Sequence, residues 1–199
     1  MRAAKFKRSG CTFSFDADSG DQAVLRFARH YVDPDAAVFN VSYVIVPAPY
    51  LEWINRQHRA SGQVRAPVAF APAVVAGDVM PPPHAAHLPD SEKSFRSRWA
   101  LREGHHRSCG EALANVLRDA AIPQMIHLLD RANLLHECRH PTMPVVRLVP
   151  LTRVEILLRV DDAPAREIEA LLADVRPAGP GDDFAAWVRR RLATRVGSQ

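Results

Sequence analysis

Six prolines (Pro67, Pro72, Pro81, Pro82, Pro83 and Pro89) fall within residues 62–94. Proline fixes φ and has no N–H to donate, so it is poorly tolerated in a helix interior or a central strand. Its background is rich in Ala and Val. Val68–Val75 predicts an edge strand at most, and Pro81–Pro83 an extended, exposed polyproline II segment. A connection of this length is either a linker or functional. The chain therefore divides into an N-terminal unit over 1–61, a Pro-rich connection over 62–94 and a larger part over 95–199, or forms one compact domain around that connection. With 199 residues, 47% of them hydrophobic and 24% charged, it can bury a core and is unlike a disordered chain.

The N-terminal unit reads as β-α-β. Cys11–Phe15 alternates like a short strand. Ala23, Val24, Phe27, Ala28 and Tyr31 recur at helical spacing, which predicts a helix over 21–31, broken by Asp33-Pro34-Asp35. Val38–Val46 alternates again, with Phe39, Val41, Tyr43 and Ile45 on one face. Tyr50–His58 then predicts a short helix that turns Trp53 and Ile54 inward.

Beyond the connection the pattern becomes helical. Ser108 and Glu111 have the spacing of a capping box. The helix they would open carries Cys109, Leu113, Val116, Leu117 and Ala120 on one stripe. Pro123 suits the first turn of a second helix, with Met125, Leu128, Leu129, Ala132 and Leu135 inward and His127 on the polar side. Pro144–Leu151 and Thr152–Val160 predict antiparallel strands, the second through its alternating Val154, Ile156, Leu158 and Val160. Two further helices are marked by Ile168, Leu171, Leu172 and Val175, and by Phe184, Trp187, Val188 and Leu192. Strands and helices without strict βαβ alternation place the chain in the α+β class.

The net charge is +4, and residues 96–160 alone carry +4. A modest basic patch fits an anionic partner but falls far short of a histone-like charge. Three cysteines form no disulfide framework, no signal peptide is visible, and no apolar run approaches a bilayer span. These features predict a cytoplasmic protein without a membrane partner. No cofactor motif is present, and none is expected.

Five of the nine histidines and two of the three cysteines lie within Gly104–Pro141. Cys109, at the start of a helix, would feel the positive end of its dipole, which favours thiolate. A nucleophilic thiolate needs an imidazole in reach, and His136 and His140 are the candidates. Cys109 on a helix, followed by a histidine ahead of a strand, resembles the papain-like cysteine hydrolases. That resemblance implies Cys109 as nucleophile and His136 or His140 as base. Zinc would ask for four ligands, usually in tight pairs such as C-x2-C; none is present, and no metal is assigned.

A third pattern precedes the capped helix. Arg96, Arg98, Arg102 and Arg107 are interleaved with Phe95 and Trp99, and His105 and His106 follow. Arginines hold phosphates and aromatics stack on bases, so this segment predicts contact with nucleic acid, RNA above all. The plainer reading packs Phe95 and Trp99 into the core. Three functions follow: nucleic-acid binding through 95–107, cysteine hydrolysis at Cys109, or a protein-interaction subunit docking a partner through its Pro-rich loop.

Overall fold

The computed structural model describes residues 6–32, 36–60, 62, 73–83, 96–177, 179 and 181–196. Phe95, His84, His87, Pro67, Pro72, Pro89 and the first five positions of the expected Val68–Val75 strand lie outside these residues.

The fold is α+β. Its sheet is antiparallel and has seven strands. Strands β1 (Lys7–Ser9), β2 (Thr12–Asp16), β3 (Gln22–Val32) and β4 (Ala36–Val46) form a meander. β4 is long enough to take two partners end to end along its other edge. Its Ser42–Ile45 stretch pairs with β5 (Val75–Asp78), and its Ala36–Asn40 stretch pairs with β6 (Arg98–Arg102). β7 (Val145–Arg147) closes the order beside β5.

Register sorts the side chains into two faces. Phe13, Leu25, Tyr43, Gly77 and Val145 stand opposite one another across five strands. Phe27 faces Val41, and Phe39 faces Trp99. The rings of Phe13, Phe27, Phe39 and Trp99 form a row with centroids 5.7, 6.4 and 6.5 Å apart. This face meets the helices in one apolar cluster that includes Leu25, Tyr43, Ile45, Met125, Leu157, Ile168 and Phe184. The opposite face carries Arg26, Asn40, Ser42, Asp78, Arg98, Arg102 and Val146. Ala36, Val38 and Ala100 are buried on it as a small separate cluster.

Helix α1 (Ala48–Ala60) buries Tyr50, Trp53 and Ile54, as its spacing predicts. Helix α2 (His106–Val116) runs through a π-helical turn at Leu117–Ala121 into α3 (Ile122–Leu128). The wider turn loosens the hydrogen-bond ladder where Pro123 has no N–H to give. α4 (Arg131–Arg139) follows, capped by Asp130, whose carboxylate accepts from the Asn133 N–H at 3.0 Å. α5 (Leu151–Arg159), α6 (Ala165–Ala173) and α7 (Phe184–Val196) complete the chain. Among the described residues no helix is long and apolar enough to cross a membrane.

Four local expectations are corrected. Residues 22–32 form strand β3 in place of a helix, so the N-terminus is a four-stranded meander followed by α1 and not β-α-β. Val24 is 1% exposed although it lies on the face away from the helices, which blurs the alternation. Pairing with β4 along almost the whole strand outweighs the local spacing. Thr152–Val160 lies in α5 in place of a strand. Val154, Ile156, Leu157 and Leu158 are all buried there, and so is Arg153, so no polar stripe marks the helical period. The second central helix is broken at Asp130 into α3 and α4. Lastly, Pro81 is buried, not exposed.

Candidate functional site

The capping box does not form. α2 begins three residues earlier than that box implies, with His105 and not Ser108 as its cap. Ser108 therefore sits inside the first turn, where its hydroxyl donates to the His105 carbonyl at 3.0 Å. Glu111 pairs sideways with Arg107 at 2.9 Å instead of reaching back to the cap. Cys109 lies on the buried stripe, as its spacing predicts, and is 0% exposed. Burial pushes its thiol pKa up, the opposite of what activates a nucleophile. Cys138 is likewise buried, with its pKa raised mainly by burial. His136 and His140 are exposed on the outer side of α4 and at its end.

The basic segment is split between two environments. Trp99 is fully buried, with its indole N–H donated to the Val79 carbonyl at 2.7 Å. It belongs to the aromatic row of the core and offers no face to a base. Arg98 and Arg102 lie half-buried on the other side of β6, flanking the buried Ala100. His105, His106 and Arg107 are exposed at the turn that leads into α2, and Arg96 is exposed at the other end of β6.

Two arrangements are not foreseen from the segments above. One is an ion network that clasps distant elements. Asp21, 2% exposed, accepts from Arg131 at 2.8 and 3.0 Å and from the first N–H of α1 at 2.7 Å. Arg131 reaches Asp161 at 3.2 Å, Asp161 pairs with Arg191 at 2.6 Å, and Arg191 pairs with Glu52. The hydrogen bond to Asp21 holds the Arg131 proton more tightly than usual. Burial alone would raise Asp161, but hydrogen bonds and charge from Arg191 and Arg131 hold its carboxyl below the ordinary range. Every charge in the clasp is paired, so its chemistry is structural.

The other arrangement is apolar and exposed. Met80, Val146 and Leu148 are 42, 64 and 54% exposed, three of the four large apolar side chains so exposed among the described residues. Met80 and Val146 line a shallow hollow of about 270 Å³ with Ala76, Asp78 and Pro144. The Leu148 N–H donates to Val74, which sets Val146 in hydrogen-bonded register with Ala76 and turns the Arg147 backbone groups away from β5. β1 and β7, at the two ends of the main strand path, are treated differently. β1 presents Lys7, Arg8 and Ser9, charge and polarity of the kind that blunts an edge. β7 presents Val145, Val146 and Arg147. The signal for this was the short Val-Val run before Pro150, but its exposure depends on where the helices lie.

On a helix, the run from His136 to His140 puts its two histidines on one face and turns Cys138 away. His136-Glu137-Cys138-Arg139-His140 has the His-Glu-x-x-His spacing that on a helix lets two imidazoles share a metal while the glutamate acts as a base. Here Glu137 is 3% exposed and turned inward. It accepts from the Thr142 N–H at 2.7 Å, the Thr142 hydroxyl at 2.8 Å and the Met143 N–H at 2.6 Å. Among the described residues no group of three or more His, Cys, Asp or Glu side chains is arranged to hold a metal.

Comparison with known proteins found no matching family model, no matching curated protein and no matching solved structure.

Proposed function

We propose that this chain is a protein-interaction subunit that docks a partner polypeptide at the β5–β7 edge of its sheet. The observation that carries the reading is the exposed trio Met80, Val146 and Leu148 beside an outer strand whose one charged side chain, Arg147, is bonded to the Cys138 carbonyl. Contiguous exposed apolar side chains at a strand with outward backbone groups suit the addition of a partner strand. This departs from the Pro-rich loop as the docking element, since the supporting features lie after it. The test is a photoreactive residue at 146 or 148 in living cells, with exposed Ala170 as control position. One protein species captured at 146 and 148 but not at 170 is expected. Capture at neither position refutes the reading.

A second reading is supported by the exposed His105, His106 and Arg107 at the start of α2, the half-buried Arg98 and Arg102 along β6, and the exposed Arg96 at its far end. It is contact with nucleic acid. With Trp99 in the core, that contact runs through phosphates and not through stacking. Binding should weaken steeply with salt, and Arg96→Ala with Arg107→Ala should flatten the slope. No binding to single- or double-stranded RNA or DNA at low salt removes this reading.

A further inference from the structure

We propose that His136 and His140 form a surface chelate for a divalent late transition metal such as Zn2+, with water completing the coordination. The two residues lie one turn apart at the end of α4, and both are exposed. Their ring centroids are 5.3 Å apart, with the planes inclined at 50°. A zinc–imidazole bond is about 2.0–2.1 Å, so two rings on one tetrahedral metal have centres roughly 5 Å apart. The pair thus stands at chelating separation without moving the backbone. Neutral imidazole offers one lone pair per ring, the donor that Zn2+, Cu2+ and Ni2+ prefer over Mg2+.

The end of α4 is held where the chelate needs it. The His140 N–H donates to the His136 carbonyl at 2.8 Å, so the last turn is closed. Glu137 ties the following turn to the helix through Thr142 and Met143, and Arg147 donates to the Cys138 carbonyl at 2.8 Å. The same bonds set the limit of the site. Both Glu137 oxygens are taken up by Thr142 and Met143, so the carboxylate is not placed to take a proton from a metal-bound water. The geometry supports binding and not the hydrolytic chemistry that the His-Glu-x-x-His spacing serves elsewhere.

The experiment is a calorimetric titration of the full chain with Zn2+, with Mg2+ as the control cation. His136→Asn, His140→Asn and the double replacement of His105 and His106 by Asn are compared with the wild type. Circular dichroism confirms that each variant is folded; both ring positions are exposed, so substitution removes no core contact. The wild type should bind Zn2+ but not Mg2+. His136→Asn and His140→Asn should each weaken the tightest site at least tenfold, and the His105/His106 variant should leave it unchanged. Zn2+ affinity unaltered by either single variant overturns the proposal. So does loss confined to the His105/His106 variant, or a wild type that binds no Zn2+ at millimolar concentration.

Discussion

Adding one methyl group at Gly77 should unseat the middle of the sheet. Gly77 stands directly across from Tyr43, and the Tyr43 ring lies over it. A Cβ at position 77 would fall 2.5 Å from Tyr43 Cζ, 2.6 Å from its hydroxyl oxygen and 2.8 Å from Cε1. Favourable carbon contacts are about 3.5–4.0 Å, so three atoms overlap the methyl by roughly 1 Å. The ring is 1% exposed and has no open side to swing into. Overpacking of this kind costs about 1–3 kcal/mol. Alanine returns about 0.4–1 kcal/mol by restricting the unfolded chain. A net loss of about 1–2 kcal/mol lowers Tm by roughly 2–8 °C for a domain of this size. Reversible thermal melts of Gly77→Ala read that shift directly. Tyr43→Phe should not relieve the clash, because Cζ and Cε1 remain, whereas Tyr43→Leu in the Gly77→Ala background should recover part of the loss. A Gly77→Ala protein that melts with the wild type, or a rescue by Tyr43→Phe equal to that by Tyr43→Leu, would refute this account.

Tyr43→Phe alone should be neutral or slightly stabilising, since the buried Tyr43 hydroxyl has no hydrogen-bond partner among the described residues and burial pushes its pKa up to about 12; chemical denaturation checks it. Arg131→Ala should cost about 3–5 kcal/mol by stranding the buried Asp21 carboxylate, and a loss under about 1 kcal/mol would show that the clasp is not load-sharing. Asp161, whose folded pKa is depressed, contributes stability that is complete above its unfolded value near 4; it fades as pH falls through the folded value, so Asp161→Asn should flatten the acid limb of a Tm–pH curve. Iodoacetamide should label exposed Cys11 in the native protein and spare Cys109 and Cys138; rapid native labelling of Cys109 would contradict its burial. Ser108→Ala should change stability by less than about 0.5 kcal/mol, because the hydroxyl is exposed inside the first turn and caps no N–H.

Legibility followed how one-sided each segment's environment is. The Val38–Val46 stretch was readable because Val41, Tyr43 and Ile45 are buried on one face while their neighbours are partly wet. β3 was not, because Val24 is buried on the far face and mimics a helical stripe with Phe27 and Ala28. α5 misled in the other direction. Arg153 pairs with Asp182, donates to the Arg176 carbonyl at 2.9 Å and lies 4.8 Å from the centre of the Phe184 ring. A buried arginine with three such partners reads in sequence as a wet position. At the site level, the thiol–histidine order along the chain was legible, but orientation was not. α2 starts three residues earlier than the Ser108 cap implied, and Cys109 is fully buried with no imidazole shown beside it among the described residues. His136 and His140 were recognisable as facing each other only on the condition that the segment was helical. The exposed Val146 and Leu148 were beyond reach, since their surroundings depend on pairing between Val75 and Arg147, far apart in the chain.

The two-partner strand β4 has a kinetic consequence. Its pairing with β3 needs only a short reversal of the chain, and β1, β2 and β3 zip onto one another in the same way. Its other edge waits for distant segments: Asp78 must find Ser42, and Arg102 must find Ala36. Loop closure delays such contacts, so the meander can assemble first and hold open a half-satisfied strand until β5 and β6 arrive. Native-state amide exchange would record that order. Protection should be greatest at the centre of β4, flanked on both sides, and should fall away towards β7, which pairs last and is released first.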